Sequence, residues 1–408
     1  MTIARISLGC LFLLTGFAGS SPVLAENEDK GPRKDVETLS SEAFDGRGLG
    51  TEGLGRALDY LESRFEEVGL RPLGEDGYRQ SFEGPEGSTL VNLVGVLGDA
   101  QGDRHVVLGA HYDHLGRGEK EDANHGLIHP GADDNASGIA VLLESAKRIG
   151  KEELGHRVVI VAFSGEEKGL LGSTYYVENP ALPLESCTAM LNLDTVGRLF
   201  DGALTVFGGG SAQEFKHILQ GVNYGFKFQL ELPEKDPEAG DHVSFGRRGV
   251  PSIHVFTGPH ADYHRPGDTA EKIDYEGLEK IAGFTTELAI YLAGRDEPLS
   301  YVPPGANKAA SSGPPSRGVG RRVSFGSIPD FNYSGEGVLL SGVIPGSPAE
   351  KAGLEEGDKL VEFAGVAIED LRAFSGILKG LNPGDEVSVV FERDGERHEA
   401  TVTVVERK

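Results

Sequence analysis

The sequence predicts a layered α/β domain with a mostly parallel mixed sheet, followed by a small β-rich domain. Three observations carry this. Continuous apolar runs alternate with helical patterns across residues 36–294, and runs such as Val158-Val159-Ile160-Val161-Ala162-Phe163 read as strands buried on both faces. A stretch at 296–320 then breaks the pattern, with Pro298, Pro303, Pro304, Pro314 and Pro315 among Ser, Gly and Ala. It reads as an extended spacer of partial stiffness. Beyond it, residues 321–408 hold short apolar strands around two short helices, enough chain to fold alone.

Taken in order, residues 1–25 read as a cleavable signal peptide. Arg5 supplies the positive start, 6–17 an apolar stretch too short to span a membrane, and Val23-Leu24-Ala25 small residues for cleavage. The mature chain then keeps only Cys187 and forms no internal disulfide. These features predict a secreted or periplasmic bacterial protein with no transmembrane anchor. Residues 26–35 read as a disordered N-terminus. Residues 36–70 are helical in character, with Ala57, Tyr60, Leu61, Phe65 and Val68 at helical spacing and Gly69 as a stop. Strands are expected at 78–82, 90–97, 106–110, 157–163, 189–193, 204–207 and 252–256. Helices are expected at 135–150, 170–178, 212–222 and 275–293, with loops at 116–130 and 241–245. The resulting division is 36–295 for the first domain, 296–320 for the linker and 321–408 for the second. In the latter, strands fall at 337–343, 359–363, 386–391 and 399–405, and helices at 348–352 and 368–378.

With 64 Asp and Glu against 39 Lys and Arg, the net charge is −25. A nucleic-acid partner is excluded on this ground, because neutralising phosphates needs a basic face.

Most potential metal ligands fall where a strand should end, and sites of open α/β sheets collect at carboxyl ends of strands. Gly131-Ala132-Asp133-Asp134-Asn135-Ala136-Ser137-Gly138 sets two adjacent carboxylates in a small-residue turn before a helix. Alone, that is also what a capped helix looks like. His111-Tyr112-Asp113 could be a surface accident, Glu166-Glu167 a solvated pair like Glu152-Glu153, and Leu193-Asp194 a cap after a strand. Their coincidence is what points to a site. His111, Asp134, Glu167, Asp194 and His264 supply imidazole and carboxylate donors that hold two divalent metals if one carboxylate bridges. Asp113, two residues past His111 on an extended segment, faces the same side and can accept the imidazole's other N–H. Glu166 is left beside a ligand, unbound, as suits a general base.

Residues 36–294 resemble the co-catalytic di-zinc exopeptidases, a family that includes bacterial leucyl aminopeptidases, aminopeptidase Y and glutamate carboxypeptidase II. The carrying stretches are Gly109-Ala110-His111-Tyr112-Asp113, the turn at 131–138, Ser164-Gly165-Glu166-Glu167-Lys168-Gly169, Asn192-Leu193-Asp194, Asp241-His242 and Tyr263-His264-Arg265-Pro266-Gly267-Asp268. The resemblance implies a three-layer α/β/α zinc-exopeptidase fold and two Zn2+ ions bridged by Asp134. It implies that His111 and Asp194 complete one metal site, and Glu167 and His264 the other. Glu166 would then serve as base for a metal-bridging hydroxide that attacks the scissile carbonyl of a peptide substrate. Asp113 would support His111, and Tyr263 would help stabilise the oxyanion. Glutaminyl cyclases share this fold with one zinc, and His111 favours the two-metal reading. Among the other histidines, His114, His125 and His129 read as solvated loop residues, and His242 and His260 as candidates to line the cleft. His105, His156, His217, His254 and His398 read as structural.

Residues 321–408 resemble a PDZ domain of the bacterial protease type, through Val323-Ser324-Phe325-Gly326-Ser327-Ile328-Pro329 and the stretch from Val343 to Leu354. By this match Phe325, Gly326, Ser327 and Ile328 form the loop that offers backbone N–H groups to the C-terminal carboxylate of a peptide or protein. Ser327 stands where such domains carry an apolar residue. The expectation is an exported zinc-dependent aminopeptidase. The alternatives are a carboxypeptidase or small-amide hydrolase, for which Arg198 and Arg265 are candidate carboxylate binders, and a PDZ-based peptide-binding protein on an inactive scaffold.

Overall fold

A computed structural model describes residues 31–98, 104–118, 124–200, 202–303, 323–329, 333, 335–393 and 395–406. The stretch read above as a signal peptide and most of the one read as a linker lie outside the described residues.

The first domain is built on a nine-stranded sheet. Its strands are β1 (Arg71–Pro72), β2 (Arg79–Glu83), β3 (Thr89–Leu97), β4 (His105–His111), β5 (Arg157–Phe163), β6 (Cys187–Leu193), β7 (Leu204–Phe207), β8 (Leu230–Glu231) and β9 (Ser252–Phe256). Their order is β1-β3-β5-β4-β6-β9-β7-β8, with β2 paired to β3. The central strands β5, β4, β6 and β9 run parallel, while β3 and β7 flank them antiparallel.

Strand alternation sends side chains into two cores, which makes the domain three-layered. Val158, Ile160 and Ala162 face one core, with Val106, Leu108 and Ala110. Helices α1 (Pro32–Leu39), α2 (Glu52–Glu67), α3 (Gly138–Ile149), α5 (Phe215–Phe226) and α7 (Tyr275–Ala293) contribute to that core. Val159, Val161 and Phe163 face the other, with Tyr176 from α4 (Leu171–Glu178) and Phe245 from α6 (His242–Gly246). All seven residues of β4 are buried, so its ends open only along the strand axis.

Three expectations need correction. The disorder expected through residue 35 stops short: α1 begins at Pro32. Its buried Asp35 accepts from Tyr60 Oη at 2.6 Å and Arg64 Nε at 2.8 Å, a long-range anchor invisible to local pattern. The helical span 36–70 is two helices. Positive φ at Asp45, Gly46 and Arg47 breaks it, and Thr51 caps α2 by accepting from the Leu54 N–H. Residues 241–245, expected as a loop, form most of the short helix α6.

The C-terminal domain has its own core, in which Phe325, Phe363 and Phe374 meet edge to face. Its strands are β10 (Val323–Ser324), β11 (Ser327–Pro329), β12 (Val338–Val343), β13 (Lys359–Phe363), β14 (Val366–Ala367), β15 (Glu386–Arg393), β16 (Glu396–Thr403) and β17 (Val405–Glu406), with helices α8 (Pro348–Lys351) and α9 (Leu371–Lys379). The main sheet runs β11-β12-β13-β15-β16, which leaves β11 at an edge. Among the described residues, no helix is long and apolar enough to cross a membrane.

Candidate metal centre

Because β4, β5, β6 and β9 are parallel, their carboxyl ends emerge on one edge of the sheet. His111 is the last residue of β4 and pairs with Phe163, the last of β5. The Ser164-Gly165-Glu166-Glu167 turn follows at once, Asp194 directly follows β6, and His264 sits in the turn beyond β9. Asp134 lies in the wide turn Ala132–Ser137 that opens α3, where the Asp134–Asn135 peptide is cis.

The turn is held from several sides. Asp268 Oδ2 accepts from the N–H groups of Asp133 at 2.9 Å and Asp134 at 3.1 Å. Asn135 Nδ2 donates to Leu193 O, and Asp133 Oδ1 accepts from Gly197 N. The fully buried Arg47 guanidinium donates to the carbonyls of Leu39, Tyr112, Pro130 and Gly131, joining the turn to the segment after β4. Gly131 adopts φ +58, and a Cβ there would meet Asp134 O at 2.2 Å.

Asp134 faces two ways. Its Oδ1 lies 3.4 Å from His111 Nε2, which is also 3.4 Å from Asp194 Oδ1. Its Oδ2 lies 2.9 Å from His264 Nε2, which is 3.3 Å from Glu167 Oε2. The structure thus brings together all the candidate ligands, in two groups that share Asp134. Tyr263 stacks on the His264 ring at 4.0 Å.

Asp113 differs in its contacts from the sequence-based expectation. Its carboxylate accepts from the N–H groups of Gly165 at 2.7 Å, Glu166 at 3.2 Å and Glu167 at 3.4 Å. It stands 3.8 Å from His111 Nδ1, and the nearer partner of that nitrogen is the Asp113 backbone carbonyl at 3.2 Å. The side chain therefore secures the Glu166–Glu167 turn, while the main chain orients the imidazole.

His114 and His129, expected to be solvated, are buried. His114 Nδ1 reaches Glu167 Oε1 at 2.8 Å and is 3.8 Å from Asp134 Oδ2. Its polar, Gly-rich neighbourhood suggests solvent, and the nearest sequence signal for a place in the site is its position directly after His-x-Asp, just beyond the end of β4. His260 Nε2 lies 3.1 Å from Asp133 Oδ2, beneath the turn. His242 turns away to Asp236 at 2.9 Å, packed against the buried His254.

The electrostatics follow from crowded carboxylates. Burial would depress His111, but Asp194, Glu166 and Asp134 outweigh it and raise it well above the ordinary range. Burial also opposes protonation of His264, and Glu167 with Asp134 likewise prevails. Asp134 is held well below the usual carboxylate range despite burial, by His114, His111 and His264. Removal from water and the charges of Glu167, Asp194 and Asp241 push Glu166 up. Asp241 rises to about 7, chiefly by burial. Such a concentration of negative charge calls for cations beyond the buried Arg47. His111–Asp134–Asp194 and His114–Asp134–Glu167 each place a ligand atom per residue within 4.8 Å of the others, with His264 beside the second group. Nitrogen and carboxylate donors of this kind suit zinc.

In the C-terminal domain, Phe325 is core, and Gly326 adopts φ +85 where a Cβ would collide with Ser347. Ser327 and Ile328 open the edge strand β11, and Ser327 pairs with Val343 of β12. Arg265 donates to Val343 O at 3.3 Å, and Lys235 lies 3.6 Å from Asp370, so the two domains touch beside His264.

Comparison with known proteins agrees with this geometry. Residues 92–289 match the model of peptidase family M28, and residues 320–404 that of the PDZ domain. Aminopeptidase YwaD of Bacillus subtilis is 30% identical over 209 residues, 47% of this chain and 42% of that protein. A probable leucine aminopeptidase of Arthroderma otae is 26% identical over 318 residues, 68% of this chain and 81% of that protein. The chain thus spans less than half the length of the first relative and most of the second. The fold is that of a Zn-dependent exopeptidase from Parabacteroides distasonis, with TM-score 0.53, 22% identity, and coverage of 63% of this chain and 97% of that one. It is equally that of Porphyromonas gingivalis glutaminyl cyclase, with TM-score 0.53, 22% identity, and coverage of 63% and 96%. Residues 92–289 of this chain are thus a peptidase M28 domain, of the di-zinc exopeptidase family, and residues 320–404 a PDZ domain.

Proposed function

We propose that this chain is an exported zinc aminopeptidase that releases N-terminal residues from peptides. The observation that carries the reading is Asp134, whose two oxygens face two separate imidazole–carboxylate pairs. In this reading His111 and Asp194 would hold one zinc ion, Glu167 and His264 the other, and Asp134 would serve both. Bound there, the ions would supply the charge that polarises a scissile carbonyl and acidifies a water.

The chain's own residues do the rest. Glu166, anchored through its backbone by Asp113, accepts a proton from the attacking water and returns it to the leaving amine. Burial and the surrounding carboxylates raise Tyr263 well above its ordinary value, so its phenol stays protonated and can donate to the developing oxyanion. The acidic surroundings suit a cationic amino terminus. The arginines that would favour a carboxypeptidase are engaged elsewhere: Arg198 with Asp268 at 3.1 Å and Asp262 at 3.5 Å, Arg265 with Val343 O. Relatives named as aminopeptidases support the same choice. The edge strand β11, with the Phe325–Ile328 turn, would take a peptide C-terminus by strand addition. Export rests on the signal-like residues 1–25.

The test is hydrolysis of aminoacyl-anilides and C-terminally blocked peptides, with zinc, with chelator and with Glu166→Gln. Chelator-sensitive release of the first residue is expected, and E166Q should keep its zinc while kcat falls by ~10²–10⁴. Absence of turnover on every peptide with two zinc ions bound would overturn the reading. Release of C-terminal residues would replace it with the carboxypeptidase.

A further inference from the structure

We propose that His114 is a positioning residue that makes Glu167 a one-oxygen ligand, rather than a metal ligand itself. The inference rests on the two-zinc reading and adds a residue to it. Its basis is how the oxygens of Glu167 are divided. Oε1 is 2.8 Å from His114 Nδ1, and Oε2 is 3.3 Å from His264 Nε2. A carboxylate held in this way has one oxygen committed to an N–H donor and one free to ligate. Hydrogen bonding to the non-ligating oxygen fixes the rotation of such a group and tunes its donor strength.

The ring is placed by backbone, not by chance contact. The N–H of His114 donates to Arg47 O at 3.1 Å. A Cβ on Gly131 would come within 2.6 Å of the imidazole, so the ring packs against bare main chain at the start of the Asp134 turn. The ring crosses that of His264 edge to face at 5.7 Å. Its second nitrogen, Nε2, is buried with no hydrogen-bond partner among the described residues. This favours positioning over ligation. If Nδ1 ligated a metal, the ring proton would move to Nε2, leaving a buried donor unsatisfied, whereas ligating histidines place that N–H on an acceptor. With the hydrogen on Nδ1 donated to Glu167, only a lone pair is left unmatched. The distances agree, since Nδ1 is a full ångström closer to Glu167 than to the shared carboxylate Asp134.

The experiment is competitive zinc titration of the whole chain against a chromophoric chelator, for the wild type, His114→Asn and His114→Phe. Asn keeps an N–H donor near the Nδ1 position; Phe keeps the ring volume without one. The expected result is two zinc ions per chain in all three, ~10–100-fold weaker binding of one ion in H114F, and recovery of most of that loss in H114N. A drop to one zinc in both variants would overturn the proposal in favour of His114 as a ligand. Unchanged zinc affinity in a folded H114F would overturn it in favour of simple packing. Fewer than two zinc ions in the wild type would instead count against the two-zinc reading itself.

Discussion

Strand β4 carries a buried histidine at each end, and the two sit in opposite electrostatic worlds. His105 opens the strand with Ser186 Oγ at 3.1 Å as its polar neighbour. Burial, reinforced by Arg157, pushes it down to about 4. His111 closes the same strand and is pushed up by Asp194, Glu166 and Asp134 against the effect of burial. Residue type and burial are shared; what differs is the end of a parallel sheet each one occupies. At the carboxyl ends, neighbouring strands release loops that converge, and here those loops carry acids. The chemistry therefore resides in the sheet's polarity as much as in any one residue.

That contrast can be broken by substitution. The largest effect is expected for His111→Ala, which should reduce bound zinc to one or fewer and kcat/KM to background, while His105→Gln leaves both unchanged. Elemental analysis with anilide turnover reads both. A loss of zinc in H105Q would erase the distinction between the two ends. Next comes Asp268→Ala, which removes the acceptor for the Asp133 and Asp134 N–H groups while leaving every ligand side chain in place. It should weaken zinc binding by ~10–100-fold, measured by chelator competition.

The remaining effect is in stability rather than metal binding or turnover, and it belongs to the amino end. His105 is depressed in the folded state, so the unfolded chain binds its proton first. Its contribution is complete above the ordinary histidine range and declines as pH falls from there toward about 4, by at most roughly 3 kcal/mol. Denaturant melts across that window should show the wild type losing stability relative to H105Q as pH falls. Parallel curves would show that His105 is as easily protonated folded as unfolded.

The sequence made much of this legible for a physical reason. Buried parallel strands are continuous apolar runs, so β5 and β9 could be bounded without neighbours, and the residues just past such runs were the natural ligand candidates. What escaped notice depended on long-range contacts. Helix α1 is polar and short, and the pairing of Asp35 with Arg64 and Tyr60 supports it from α2. The edge strands β1 and β8 have two residues each and exist only through pairing with β3 and β7. His114 reads as solvated because it flanks a polar, Gly-rich loop; its burial comes from contacts with Arg47 and Gly131, distant in sequence, that no local pattern shows. Asp113 had the right neighbours with the roles exchanged: its carboxylate serves the Glu166 turn and its carbonyl the imidazole.

The central claim is that the carboxyl end of β4 is one half of a two-metal centre. The most direct test is zinc per chain in the purified protein, counted alongside H111A and H105Q prepared identically. The account requires two ions in the wild type and in H105Q, and a loss confined to H111A. A wild type that binds fewer than two ions, or an H111A that keeps both, would contradict it.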